Sequence, residues 1–181
     1  MNNADILTKK AVKKPTYSSA GFSIIEMLVV MSIIAILAVL ILANYRGREK
    51  QYELNNAARQ LVSNLRKAQN MAMSGSGGYR GYGIYASGNS FSYIIFGDKN
   101  DNQRYDGGDD ILEAIQMPSK TKILSVSPSS GGGLSVNFRP PAPTTYINGQ
   151  STAGLSAAFI LQTTDASLSK TVTATTAGLI Q

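Results

Sequence analysis

Two sets of acidic residues are the ones whose type and spacing could support chemistry in this 181-residue chain. One is a single carboxylate, Glu26, inside an apolar run, and the other is an acidic stretch at residues 98–110. The sequence has no Cys and no His, so it offers no thiol nucleophile, no imidazole base and no Cys/His zinc site. It also has no phosphate-binding glycine loop. We therefore expect the chain not to be an enzyme.

Glu26 belongs to the apolar run 22–43. That run contains three polar residues, which are Ser23, Glu26 and Ser32. An acidic side chain near a membrane core costs about 2.5–3.5 kcal/mol, so Glu26 needs a partner or an exit to water. Two interpretations remain open. Glu26 reaches the lipid headgroups from the helix end, or it pairs with an α-amine that cleavage after Gly21 creates on Phe22 of a neighbouring chain.

The acidic stretch has the spacing of a calcium (Ca²⁺) loop. Its oxygen-bearing side chains fall at relative positions 1, 3, 5, 9 and 12, occupied by Asp98, Asn100, Asn102, Asp106 and Asp109. The Arg104 carbonyl would be the backbone ligand of an EF-hand-like loop. Gln103 replaces the expected glycine and Asp109 the longer glutamate, which favours weak affinity. The alternative is an Asx-rich surface loop held by its own hydrogen bonds.

The apolar run is long enough to cross a membrane. Its 22 residues would form a helix of about 33 Å, against a bilayer core of about 30 Å. A secretory signal has its small-residue cleavage site after the apolar run, whereas here the small residues of 18–21 precede it and follow a leader with four lysines. A cut at Gly21 would remove the leader 1–21 and keep the helix 22–43.

The run GFSIIEML at 21–28, followed by the hydrophobic helix, resembles the class III prepilin signal of type IV pilins and pseudopilins. The resemblance implies that prepilin peptidase cuts after Gly21, that Phe22 becomes N-methylated, and that Glu26 is the acidic assembly residue. The helix-weakening proline of that family is absent, because no proline lies between Pro15 and Pro118.

The helix is predicted to continue beyond the apolar run as an amphipathic segment, 44–74. Apolar residues recur at alternating spacings of four and three: Leu54, Ala58, Leu61, Leu65, Ala68 and Ala72. This spacing places them on one stripe of a helix. We expect this stripe to pack against a sheet.

Residues 75–181 are predicted to form a β-rich globular head. The glycines of 75–78 end the helix, and a hairpin is expected from 83–85 and 91–95 around Ser87-Gly88-Asn89. Further strands are expected near 111–117, 122–127, 134–138, 157–163 and 170–175. The predicted fold class is α+β, with one long N-terminal helix packed on a mostly antiparallel β-sheet. The head, especially the run LSVNFRP at 134–140, resembles the minor pseudopilins of the GspH and FimT type.

The resemblance implies a structural subunit, of the minor class, in a type IV pilus-like or type II secretion filament. Its partners would be other pilins, prepilin peptidase and an inner-membrane assembly platform, with no cofactor required. The chain would span the cytoplasmic (inner) membrane once, head outside the cytoplasm, and then enter an extracytoplasmic filament. The alternatives are a DNA-uptake minor pilin and an uncleaved single-pass protein. Lys170 is the only basic residue after Arg139, which disfavours DNA.

Overall fold

The computed structural model describes residues 21–75, 77–141 and 144–181. The chain divides into two compact units, Met1–Leu42 and Ala43–Gln181. The predicted leader, apart from Gly21, lies outside the described residues. The predicted α+β fold is confirmed: one long helix, α1, is followed by eight strands, and every strand pairing between them is antiparallel.

Helix α1 runs over Ile24–Ser74. In the second unit it buries the predicted stripe: Leu54, Ala58, Leu61, Leu65, Ala68 and Ala72 are each at most 5% exposed. The helix ends where Gly75 adopts a left-handed conformation with φ of 61° and donates its N–H to the Ala72 carbonyl at 3.3 Å. Glycine takes up that conformation without steric cost, which explains why the helix ends here.

The strands form two sheets. The five-stranded sheet has the order β3-β2-β1-β5-β6, and the three-stranded sheet has the order β4-β7-β8. The strand bounds are β1 Gly81–Ser87, β2 Ser92–Asp98, β3 Asp110–Gln116, β4 Thr121–Ser127, β5 Gly133–Arg139, β6 Thr144–Ile147, β7 Ser156–Thr163 and β8 Ser169–Thr175. The predicted hairpin is β1–β2, with Ile84 opposite Ile95. Strand β6 and the division into two sheets were not predicted.

The core of the second unit lies between α1 and the two sheets. Residues of alternate positions on β1, β5 and β7 meet the helix stripe in one buried cluster, for example Ile84, Val136 and Phe159. A polar contact also joins helix and sheet, since the Asn64 amide donates to the Tyr93 hydroxyl at 2.8 Å. The amphipathic half of α1 is thus the layer that covers one face of the β head.

Candidate functional site

Two features that favour the beginning of a helix lie at the start of α1. Ser23 precedes the first helical residue, Ile24, and its carbonyl accepts the Met27 N–H at 3.2 Å. Ser23 therefore occupies the N-cap position, and Glu26 lies three residues later in the first turn. This Ser-x-x-Glu spacing is that of a capping box, and a negative charge in the first turn also interacts favourably with the helix dipole.

The apolar side chains of residues 22–42 are exposed on all sides of the helix. Ile24, Ile34 and Leu42 are 86%, 60% and 60% exposed, so no one face is covered. The segment Ile24–Leu42 is long and apolar enough to cross a membrane. An unbroken apolar surface of this size is stable only in lipid or against other apolar helices. Glu26 is the one ionisable residue within it.

The predicted calcium loop is organised around Asp98, which is 1% exposed. The N–H groups of Asp101 and Gln103 donate to its carboxylate at 2.7 and 2.9 Å, and the buried Asn137 amide donates at 2.8 Å. Gln103, at the position where a glycine was expected, has a φ of 58°. The sharp left-handed turn of such a loop is therefore present although the residue is not glycine.

Asp106 and Asp109 accept hydrogen bonds from within the loop. The Gly108 N–H is the main cause that lowers the pKa of Asp106, and the Asn100 and Asn102 amides also donate to it. Burial raises the pKa of Asp109, although its carboxylate accepts the N–H groups of Lys99 and Asp106.

The hydrogen bonds of this loop match those of the Asx-rich alternative. The side-chain oxygens of Asn100 and Asn102 each accept an N–H two residues further on. Within the described residues, no group of three or more Asp, Glu, His or Cys side chains is arranged to hold a metal. A calcium ion would require both amides to rotate so that their oxygens face Asp106. Calcium binding by Asp98, Asn100, Asn102, Arg104, Asp106 and Asp109 stays a prediction.

The loop is docked on the face of the five-stranded sheet that points away from α1. Tyr105 places its ring 4.8 Å from that of Tyr85 and 5.4 Å from that of Phe96, and its N–H donates to Ser135 Oγ at 3.0 Å. Gly83 leaves space for this packing, because a Cβ there would lie 2.8 Å from the Phe96 ring. The loop is therefore a fixed part of the head.

Two family models match the chain. The model of the prokaryotic N-terminal methylation motif matches residues 17–42, and that of the Type II transport protein GspH matches residues 57–178. The second match covers more than half of the chain. The chain belongs to the GspH family. No curated protein and no solved structure gives a significant match to it.

Membership of the GspH family, together with the methylation motif, makes the chain a subunit of the type IV pilin or pseudopilin kind. The predicted resemblance is thereby confirmed, and proteins of these families are structural subunits. The apolar helix fits a membrane-anchored pilin. The roles of Gly21, Phe22 and Glu26 stay predictions.

Some features of the structure were missed from sequence. The Ser-x-x-Glu spacing of Ser23 and Glu26 at the start of α1 is a local signal and could have been found. The anchoring contacts of the loop had no local signal. Asn137 and Ser135 lie at least 25 residues from the loop in sequence, and the pairing of β1 with β5 brings them beside it.

Proposed function

We propose that this chain is a minor structural subunit of a filament built by a type IV pilus-like or type II secretion machinery. The observation that carries the proposal is the helix Ile24–Leu42, which is apolar and exposed on every side and has a single acid in its first turn. Such a helix has two suitable surroundings, lipid before assembly and the helices of neighbouring subunits afterwards.

Processing would generate a partner for Glu26. Prepilin peptidase would cut after Gly21, remove the leader, and leave an α-amine on Phe22 that is then methylated. An α-amine has a pKa of about 7.7–8.0, so a large fraction of it is protonated at neutral pH. Its positive charge would match the Glu26 carboxylate of an adjacent subunit.

The pair would also set the stagger between subunits. Each charge is costly in apolar surroundings, and bringing the two together offsets much of that cost when the geometry is good. A subunit displaced along the bundle would leave both charges unpaired, whereas the apolar side chains would tolerate many displacements. The apolar surface therefore supplies attraction, and the ion pair supplies the register.

The remaining partners follow from this role. The chain would sit in the inner membrane as a single-pass protein with its head outside the cytoplasm, bind other pilins or pseudopilins, and pass through an inner-membrane assembly platform. No cofactor is required for any of these steps.

The substitution Glu26→Gln tests the proposal. Gln has the size of Glu, is equally suited to the third helical position of a capping box, and removes only the charge. We expect filament incorporation to fall by more than about tenfold, because an unpaired buried charge costs about 3–5 kcal/mol. The matched control is Ser32→Ala in the same helix, where the lost hydroxyl donates to the Val29 carbonyl at 2.7 Å. Normal abundance and spacing of filaments with Glu26→Gln would contradict the proposal.

Mass spectrometry of membrane-extracted chain separates this proposal from the uncleaved single-pass alternative. The proposal expects a mature species that begins with N-methylated Phe22. Full-length chain alone, in cells that contain active prepilin peptidase, would instead support the uncleaved protein.

A further inference from the structure

A groove runs between the second half of α1 and strand β8 and has a volume of about 960 Å³. We call it the α1–β8 groove. Apolar side chains form part of its floor, including Val62, Met71 and Val172. Four basic side chains also line it, and these are Arg59, Arg66, Lys67 and Lys170. Among the described residues that line the groove there is no aspartate or glutamate.

The two arginines of the α1–β8 groove are available for a ligand. Lys67 pairs with Glu113 at 2.5 Å, and Lys170 donates to the Asn55 side chain at 2.7 Å. Arg59 and Arg66, in contrast, form no hydrogen bond or ion pair with any described residue. They lie seven residues apart on the helix, a separation of about 10.5 Å along its axis. The groove thus presents two uncompensated positive charges beside an apolar floor.

The other wall of the groove is an open sheet edge. Strand β8 is the last strand of its sheet, and its outer side already accepts extended chain, since Thr173 and Gln181 exchange hydrogen bonds of 2.8 and 3.0 Å. Along an edge strand of an antiparallel sheet, the backbone N–H and C=O groups of every second residue face away from the sheet. After Thr173, the next residues of β8 with outward-facing backbone groups are therefore Thr171 and Ser169. Within the part of the chain that the structure describes, no segment pairs with them there.

We propose that the α1–β8 groove binds an extended acidic segment of a partner protein, which adds to the edge of β8 as a further strand. Thr171 and Ser169 supply about four backbone hydrogen bonds, and carboxylates of the segment pair with Arg59 and Arg66 in charge-assisted bonds. The apolar floor and the strand edge favour a peptide over a nucleic acid, which would match the charges alone. This proposal does not depend on filament assembly.

The test measures binding of a fluorescent seven-residue peptide of alternating Glu and Val to the full chain in a non-ionic detergent at low salt. The same peptide with Lys in place of Glu is the charge control. A seven-nucleotide oligo-dT is the polyanion control, because it supplies negative charge without the backbone groups of a strand. We expect the acidic peptide to bind with at least about tenfold higher affinity than either control.

Two variants locate the binding. Arg59→Glu/Arg66→Glu should weaken binding of the acidic peptide at least about tenfold. Arg48→Glu/Arg80→Glu makes the same change of charge at exposed positions outside the groove and should leave the affinity unchanged. Thr171→Pro should weaken it as well, since proline removes an outward N–H. Thermal melts verify that each variant is folded. If Thr171→Pro does not fold, the comparison of the two double-arginine variants decides the result.

Three outcomes would overturn the proposal. The first is no binding of the acidic peptide at millimolar concentration. The second is equal weakening by the two double-arginine variants. The third is oligo-dT binding as tightly as the peptide, with both unaffected by Thr171→Pro, which would make the groove a polyanion surface.

Discussion

At the scale of single residues, Asp98 shows how a charged group can be part of a core. Its carboxylate is buried and accepts three hydrogen bonds, two from its own loop and one from Asn137 in β5. Hydrogen bonds to the charged form of an acid offset the cost of burying it. Asp98 therefore joins the loop 98–110 to the sheet.

Tyr93 is a second buried polar residue, and it leads to a pH prediction. Burial raises the pKa of its hydroxyl to about 12, although the hydrogen bond from Asn64 acts in the opposite direction. The unfolded chain loses this proton near pH 10, whereas the folded chain retains it. The stabilisation from Tyr93 is thus fully present below pH 10 and is lost as the pH rises toward 12.

We expect thermal melts of the full chain in detergent to show a falling melting temperature above about pH 10. Tyr93→Phe should reduce this fall and cost about 1 kcal/mol at neutral pH through the lost hydrogen bond to Asn64. Tyr52→Phe is the control, since Tyr52 is 73% exposed. If the melting temperature of Tyr93→Phe fell with pH as steeply as that of the parent, the prediction that Tyr93 contributes to the fall would be wrong.

At the scale of elements, the loop 98–110 carries the calcium prediction. If calcium binds, the melting temperature should be higher in millimolar Ca²⁺ than in chelator. The stabilisation would be about 1.4 kcal/mol at a free calcium concentration ten times the dissociation constant. Asp106→Asn should abolish this rise. Asp165→Asn removes a carboxylate outside the loop, one that contacts Lys50 and Ser167, and should keep it. No shift at millimolar calcium would retire the prediction.

Some elements of the fold could be predicted from the sequence and others could not. The stripe from Leu54 to Ala72 and the hairpin around Gly88 were predicted because their signals are periodic and local. Strand β6 was missed, since Thr144–Ile147 has only four residues and follows a proline-rich run at 140–143. A strand that short has no resolvable alternation, and its pairing with β5 decides its conformation.

The same distinction applies to the candidate sites. The residues Gly21, Phe22 and Glu26 form one contiguous motif, so sequence alone was enough to select them. The α1–β8 groove was not foreseen, because Arg59 and Lys170 are more than 100 residues apart in sequence and only packing makes them neighbours. Contacts between distant segments depend on sheet order, which composition and periodicity do not determine.

At the scale of the whole molecule, apolar packing rather than surface charge stabilises the second unit. Four ion pairs between described residues join α1 to the strands and loops: Lys50 with Asp165, Lys67 with Glu113, and both Glu49 and Glu53 with Lys120. Six of these seven side chains are at least 40% exposed, Glu53 being the exception, and exposed pairs contribute about 0–1 kcal/mol each. The buried cluster around Leu61 and Phe159 must supply most of the stability.

That cluster predicts the thermal behaviour of a shortened chain. Every buried hydrophobic side chain among the described residues lies between Leu54 and Ile180, and the side chains of 22–42 are all exposed. A chain that begins at Ala43 should therefore keep the complete core. We expect it to unfold cooperatively, with a melting temperature within about 3 °C of that of the full chain in detergent.

The substitution Leu61→Ala, made in both forms, shows whether the core is the same. Leu61 is 0% exposed, and truncating it should cost about 3 kcal/mol, or about 10 °C for a unit of this size. Leu179→Ala is the matched control at a 54% exposed leucine and should change the melting temperature by less than about 2 °C. Equal shifts in both forms would locate all of the stabilising core in Ala43–Gln181, whereas a shortened chain that melts without cooperativity would mean that the first unit is needed for folding.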